Sequence, residues 1–525
     1  MGNHHSHSHG GTSKKGSLTS DTADSIHKNE LSRSSSGTDV QDNFQPQAVM
    51  SPVDKLAKIL CEKSSEEEGI NGIGLGTFTR YLFPRYQVLA EKLYNYFHRN
   101  VNTTKSYIPT NDFRSQCELF LAIIDDNSAI DLIVKMYSVY REDSDNEFMT
   151  PESLRSLLMT SYHIAMDHYS EGPQMCLVIN KTLKAVVDSC FHSKTHLSMQ
   201  FVSHWLAANT PRLLLPIHRY AVHCLATSYR TLEADGPPLA AGLELTTPVL
   251  EQPNPFGSKV PHPHLLQMSM SWLLAGALGP IYSRPPHPHL LETELLAGAL
   301  GPIYSRPRKP NSPGNSGTAG ALGPIYSRPR KPNSPGNSGT GLSSMSFLTK
   351  LLFAVPSHWL ILYDSNEMGL AANRFLHHVL AYKGPTLILI KANDDSLFCV
   401  ASPCEWKESH LYWGGEDCAV VQLLPKFQML EKGSKMLYLN TTVRGYPQGL
   451  RAGSDPRAPI IAIDGGFEKF EFRKIPYSIS CIEVWGCGDQ ANREAQLDVK
   501  KWQSLLLRKQ MWIIFYILYF KGMKR

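Results

Sequence analysis

The 525-residue chain has no hydrophobic run near the roughly twenty residues that a bilayer helix needs. MWIIFYILYF at 511–520 is ten apolar residues, and Arg508, Lys509 and Gln510 block its extension toward Leu505–Leu507. The stretch is too short to span a membrane and reads as an irregular tail or as a helix lying in an interface. No signal peptide precedes the ten cysteines, which form no CxxC pair and no dense framework. That pattern excludes a disulfide-built scaffold and points to a reduced, cytosolic-side protein. An excess of one charge is also missing: the net charge is +5, with Lys and Arg spread along the chain rather than gathered in a stripe, so nucleic acid is not an expected partner. GxSxG, HExxH and the phosphate loop GxxxxGK are absent, and GIGLGTF at 72–78 lacks the preceding strand of a dinucleotide fingerprint. No cofactor is expected. A cysteine beside His377, His378 or His410 would make a thiol enzyme, but small apolar burial is the ordinary place for a free cysteine, and the chain is read as non-enzymatic.

What is present falls into five segments. Residues 1–50 are rich in Ser, His, Gly and Asp and have few aliphatic side chains, so they cannot offset their chain entropy and read as a disordered leader. From 54 to 230 the apolar residues recur at helical spacing, as in Leu93, Tyr96 and Phe97, or Leu132, Met136, Val139 and Tyr140, and predict an all-helical domain. Residues 231–345 read as a disordered Pro/Gly-rich linker. Within it AGALGPIYSRPRKPNSPGNSGT occurs at 297–318 and again at 319–340, AGALGPIYSRP stands at 275–285, and PHPHLL appears at 261–266 and 286–291. Identity without drift is unlike a solenoid and fits a recent duplication that adds no core. From 347 to 489 the runs HWLILY, TLILI, LFCVA, CAVVQLL, MLYLN, PIIAI and CIEVW, separated by NDDS, WGGED and EKGS, predict a mostly antiparallel sheet with one or two helices. Residues 490–525 form an atypical tail. The fold class is α+β.

Two stretches carry candidate chemistry. The opening MGNHHSHSHGG places Gly2 and Ser6 in the M-G-x-x-x-S pattern of N-myristoylation, while His4, His5, His7 and His9 read as a flexible leader without the fixed geometry of a metal site. One acyl chain gives only marginal membrane binding, and no cysteine or long basic run adjoins it, so residence at a membrane requires a protein partner. The segment REDSDNEFMTPE lies between helix-like IVKMYSVY and SLRSLL, with Asp143, Asp145 and Glu152 at positions three, five and twelve of an EF-hand loop. Arg141 takes the first position and Asn146 replaces the turn glycine. A second region, 96–113, has the same outline with almost no carboxylate. The two read as a degenerate structural pair; calcium at Asp143, Asp145 and Glu152 is the alternative, and a helix start at Pro151–Glu152 accounts for the same acidic residue without an ion.

Laid in order, LLFAVPSHWLILYDSNEMGLAANRFLHHVLAYKGPTLILIK, YWGGEDCAVVQLLPKF, MLYLN with PQGL after it, and IEVWGCGD resemble the TLDc domain of the oxidation-resistance type, most like its N-myristoylated members that carry an EF-hand-like helical region. Phe398-Cys399-Val400-Ala401-Ser402 departs from that pattern by lacking its glycine. The resemblance implies a β-sandwich with flanking helices over 347–489. It also implies a non-enzymatic adaptor on the cytosolic face of endomembranes, the lysosome among them, which binds the proton-pumping V-ATPase in oxidative-stress or nutrient signalling. A calcium-responsive sensor is the alternative. Among single residues, Glu483 in CIEVWG is expected to face solvent or a partner, Asp364 to be a solvated turn residue, and Trp485 to belong to the core.

Overall fold

The computed structural model describes residues 50–141, 144–167, 169, 176–233, 247–252, 254–256, 263–283, 357–488 and 490–522, with the side chains of 141, 144–146 and 515–522 excepted. Gly2, the leader, Asp143 and the duplicated copies downstream of 284 lie outside the described residues.

The N-terminal region is helical: α1 (Pro52–Glu68), α2 (Leu75–Leu82), α3 (Gln87–Val101), α4 (Thr110–Leu121), α5 (Asp126–Met136), α6 (Pro151–Met166), α7 (Ile179–Phe191), α8 (Met199–Asn209) and α9 (Leu215–Glu233). Local chemistry sets the starts. Ser51 and Asp54 form a reciprocal capping box on α1, and Thr150 accepts from the Ser153 amide ahead of Pro151 on α6. The helices come in pairs joined by short bridges. Ile73 and Ile108 exchange two backbone hydrogen bonds (2.8 and 3.0 Å) between the α1–α2 and α3–α4 connections. A hairpin of β1 (Val139–Arg141) and β2 (Ser144–Met149) follows α5, and β2 pairs β3 (Leu197–Ser198) before α8. By backbone pairing the regions 96–113 and 141–152 each bridge a different neighbour, while the Arg99–Glu147 ion pair (3.2 Å) links the two. Each unit finds its backbone partner in the helix–loop–helix adjacent in the chain, which needs only a short connection.

Residues 358–486 form an antiparallel sheet. Its strands are β5 (His358–Asp364), β6 (Thr386–Ala392), β7 (Leu397–Ser402), β8 (Ser409–Trp413), β9 (Ala419–Leu424), β10 (Gln428–Lys432), β11 (Leu437–Asn440), β12 (Gly449–Ala452), β13 (Ile461–Ile463), β14 (Lys469–Phe472) and β15 (Ile475–Gly486). The long β15 joins two halves. Through 479–486 it pairs β6, and through 483–486 also β5, leading to β7, β9 and β10; through 475–478 it pairs β14, leading to β13, β12, β11 and β8. Side chains alternate along β6, so Ile388 and Ile390 enter a core shared by the two halves, while Leu387 and Leu389 point the other way. All four are buried, which is why TLILI reads as an unbroken apolar run. Gly449 opens β12 at φ +103°, where a β-carbon would meet the Ile463 carbonyl at 1.9 Å. Two short helices, α12 (Ser365–Met368) and α13 (Ala372–Val379), follow β5, and α14 (Gln490–Gly522) follows β15.

The second face of β6 is covered by the helical region itself. Leu387, Leu389, Cys399, Val421 and Trp485 share one core with Leu183 and Val186 of α7 and with Leu206 of α8. The Phe427 amide donates to the Ala185 carbonyl (3.0 Å), and the Met429 amide reaches Asn209 (3.4 Å). Part of the expected linker is in this core. Val249–Leu250 runs parallel beside β5 as β4, and α10 (Met268–Ala277) and α11 (Pro280–Ser283) are wedged between helices and sheet, every residue of α10 being buried. SMSWLLAGA supplies apolar side chains on all sides, and Gly276 lies so close to Leu213 that a β-carbon would sit 2.5 Å from it. The Pro/Gly content of 231–345 hid these residues, and the view that the stretch adds no core is corrected for the described residues among 247–283.

Candidate functional site

Where the strap, described over 247–252, 254–256 and 263–283, crosses the sheet, three titratable side chains converge. Asp364 ends β5, Glu483 lies opposite it in register on β15, and His264 precedes α10. Neither carboxylate is where the sequence suggested: Asp364 is 3% exposed and Glu483 fully buried. Glu483 turns inward because Cys481, Glu483 and Trp485 share the strand face that the strap and helices cover. Its Oε1 accepts from the Leu265 amide (2.7 Å) and faces His264 Nδ1 at 3.3 Å; its Oε2 accepts from Trp485 Nε1 (2.9 Å) and the Leu266 amide (3.4 Å). Asp364 Oδ1 accepts from the Asn366 amide (2.8 Å), leaving Oδ2 at 3.6 Å from His264 Nδ1. The His264 ring also meets Trp485 edge to face, at 5.6 Å. Its hydrogen bond to Glu483 raises the His264 pKa, and burial raises that of Asp364. The ligand atoms of the three residues all lie within 4.8 Å of one another, the one group among the described residues arranged to hold a cation. Trp485 is core, as expected. A glutamate in the apolar strand CIEVW was the available signal for a buried charge; His264 was visible only as part of a duplicated hexapeptide.

The other candidate residues are dispersed. Glu152 is exposed in the first turn of α6, at the rim of a cleft with Arg85, Tyr86, Arg155 and His163. The backbone of Asp145 lies in β2, whose Glu147 pairs Arg99 at 3.2 Å. Burial pushes the thiols of Cys190, Cys224 and Cys418 up to about 12 and that of Cys481 to about 11, and Cys117, Cys399 and Cys487 are also shifted upward. These seven are protonated at neutral pH, the opposite of an activated nucleophile. Along α14, Gln496 donates to the His378 and Leu380 carbonyls at the end of α13 (3.0 and 2.9 Å), while Trp502, Leu505–Leu507 and Met511–Ile514 are exposed. No helix among the described residues is long and apolar enough to cross a membrane.

Residues 337–488 match the TLDc domain. The match takes in the whole sheet and both carboxylates of the cluster, and leaves His264 and the helical region outside it. The chain is also 24% identical over 157 residues to the mTOR-associated protein MEAK7 of Xenopus laevis, a stretch covering 26% of this chain and 34% of that protein. It thus spans about a third of the length of the curated relative it matches. The TLDc region is joined to the helical region through one core, with the strap between them.

Proposed function

We propose that the protein is a non-enzymatic TLDc adaptor of the cytosolic face of endomembranes, the lysosomal surface among them, that docks the V-ATPase in oxidative-stress or nutrient signalling. The observation that carries this reading is the unequal cover of the TLDc sheet. Its β6–β7–β9 half is sealed by the protein's own helices, and the β8 and β11–β14 half leaves Leu411, Val443 and Tyr446 exposed as a surface for a partner. The TLDc match and the mTOR association in the relative's name favour an adaptor over an enzyme. Gly2 carries the myristate, and the docked protein partner supplies the additional attachment that a single acyl chain needs. The paired helix–loop–helix units support an EF-hand-like origin for the helical region, in which they position the TLDc sheet.

The test is co-purification of V-ATPase subunits with the full chain. Leu411→Glu and Val443→Glu are expected to abolish it while the melting temperature holds; unchanged pump recovery from both variants overturns the docking surface. Acyl labelling decides the anchor separately: Gly2→Ala loses label and moves the chain out of the membrane fraction, and retention of both rejects it.

A further inference from the structure

The geometry points to an inter-region metal site: His264 Nδ1, Asp364 Oδ2 and Glu483 Oε1 form a three-ligand site for a divalent zinc-class cation that fastens the strap to the TLDc sheet. The separations carry the argument. His264 Nδ1 stands at 3.3 and 3.6 Å from the two oxygens, the shorter being a hydrogen bond longer than the about 2.7–2.9 Å of a charged pair, and all three ligand atoms lie within 4.8 Å of one another. Ligands at about 2.0–2.2 Å around a tetrahedral zinc are separated by about 3.3–3.6 Å, the length of a tetrahedral edge.

The carboxylates are also held as metal ligands are held. Each carboxylate is oriented by donors outside the cluster, Asp364 Oδ1 by the Asn366 amide and Glu483 Oε2 by Trp485 Nε1 and the Leu266 amide, and each turns its other oxygen toward His264, Glu483 Oε1 also accepting from the Leu265 amide at 2.7 Å. Charge favours the same occupant. When both are ionised, the two carboxylates put two negative charges side by side in the interior, and among the described residues His264 is the one cationic group within ion-pair distance of either. A protonated imidazole leaves one negative charge in a region of low dielectric; a divalent ion with neutral imidazole leaves none. His264 is partly exposed and borders a pocket of about 160 Å³ lined also by Val178, Lys181, Lys391 and Asp395.

The probe is zinc chloride added to the chelator-stripped full chain, followed by removal of excess and counting of metal per chain. His4, His5, His7, His9 and the free cysteines take up zinc as well, so the readout is the difference between wild type and the volume-conserving variants Asp364→Asn and Glu483→Gln. PHPHLL recurs with His289 in the place of His264, whereas the two carboxylates have no duplicate, and they carry the decision. Each variant that keeps the wild-type circular dichroism spectrum is expected to hold one zinc fewer and to lose the zinc-induced rise in melting temperature. Cobalt(II) in the wild type is expected to give a four-coordinate visible band that both variants weaken. Equal metal content in wild type and either folded variant, or a wild-type melting temperature and cobalt spectrum indifferent to metal, overturns the site.

Discussion

The two halves of the TLDc sheet are made of the same kind of strand and meet different surroundings. In the half around β6, β7 and β9 both faces are buried, one against the other half of the sheet and one against α7, α8 and the strap. In the half made of β8 and β11–β14 one face is buried and the other opens to solvent at β8 and β14, while β11 is buried throughout; β14 alternates Lys469, Phe470, Glu471 and Phe472, with Phe470 buried between less covered neighbours. An unbroken apolar strand thus reports a cover supplied by another part of the chain, and an alternating one reports a face left free. The helical region is one wall of the TLDc core, which makes the bare half the place where a second protein has room.

The largest test of this contrast removes the cover at its centre. Trp485 is fully buried on the covered face, where its indole also holds Glu483. Trp485→Ala is expected to cost about 3–5 kcal/mol and to raise hydrogen exchange in α7 and α10 together with β6. A loss confined to the sheet, with the helices still protected, breaks the claim of a shared core.

Acid provides a weaker and reversible form of the same test. His218 and His223 are buried in α9, and burial holds both pKa values down to about 4. A base whose folded pKa lies below its unfolded value near 6.5 takes its proton more readily in the unfolded chain. Its neutral burial contributes stability above pH 6.5, and this is lost as pH falls toward 4. The helical cover should therefore weaken between those limits by on the order of 2 kcal/mol per histidine. Melting temperatures across this range in His218→Gln and His223→Gln should be flatter than in the wild type; parallel curves reject the assignment.

The elements themselves were partly legible beforehand. TLILI and CIEVW announced strands and Pro151–Glu152 a helix start, because helix-start signals and apolar period act within a few residues. The strap was not legible: SMSWLLAGA lies in a stretch whose proline and glycine content reads as linker, and its neighbours recur downstream without change. What makes it core is Leu213, Tyr162 and the sheet, all distant in the chain. The cluster failed for the same reason. Asp364 looked like a turn residue and Glu483 like a surface one, since alternation shows that two side chains differ in face and leaves open which face is covered.

The smallest expected effect lies on the bare half. Leu411 is 65% exposed at the edge strand β8, and the neighbouring His410 ring lies 4.9 Å from that of Tyr446, tilted against it. An apolar side chain already in water loses little when it becomes polar, so Leu411→Ser should change stability by no more than about 0.5 kcal/mol. The matching change on the covered face, Leu389→Ser, places a hydroxyl in the shared core and leaves a cavity behind it, at a cost several times larger. Chemical denaturation of the two variants side by side measures the ratio. If Leu411→Ser proves as costly as Leu389→Ser, the bare half is covered in solution by something the chain itself supplies, and the free docking face has to be sought elsewhere.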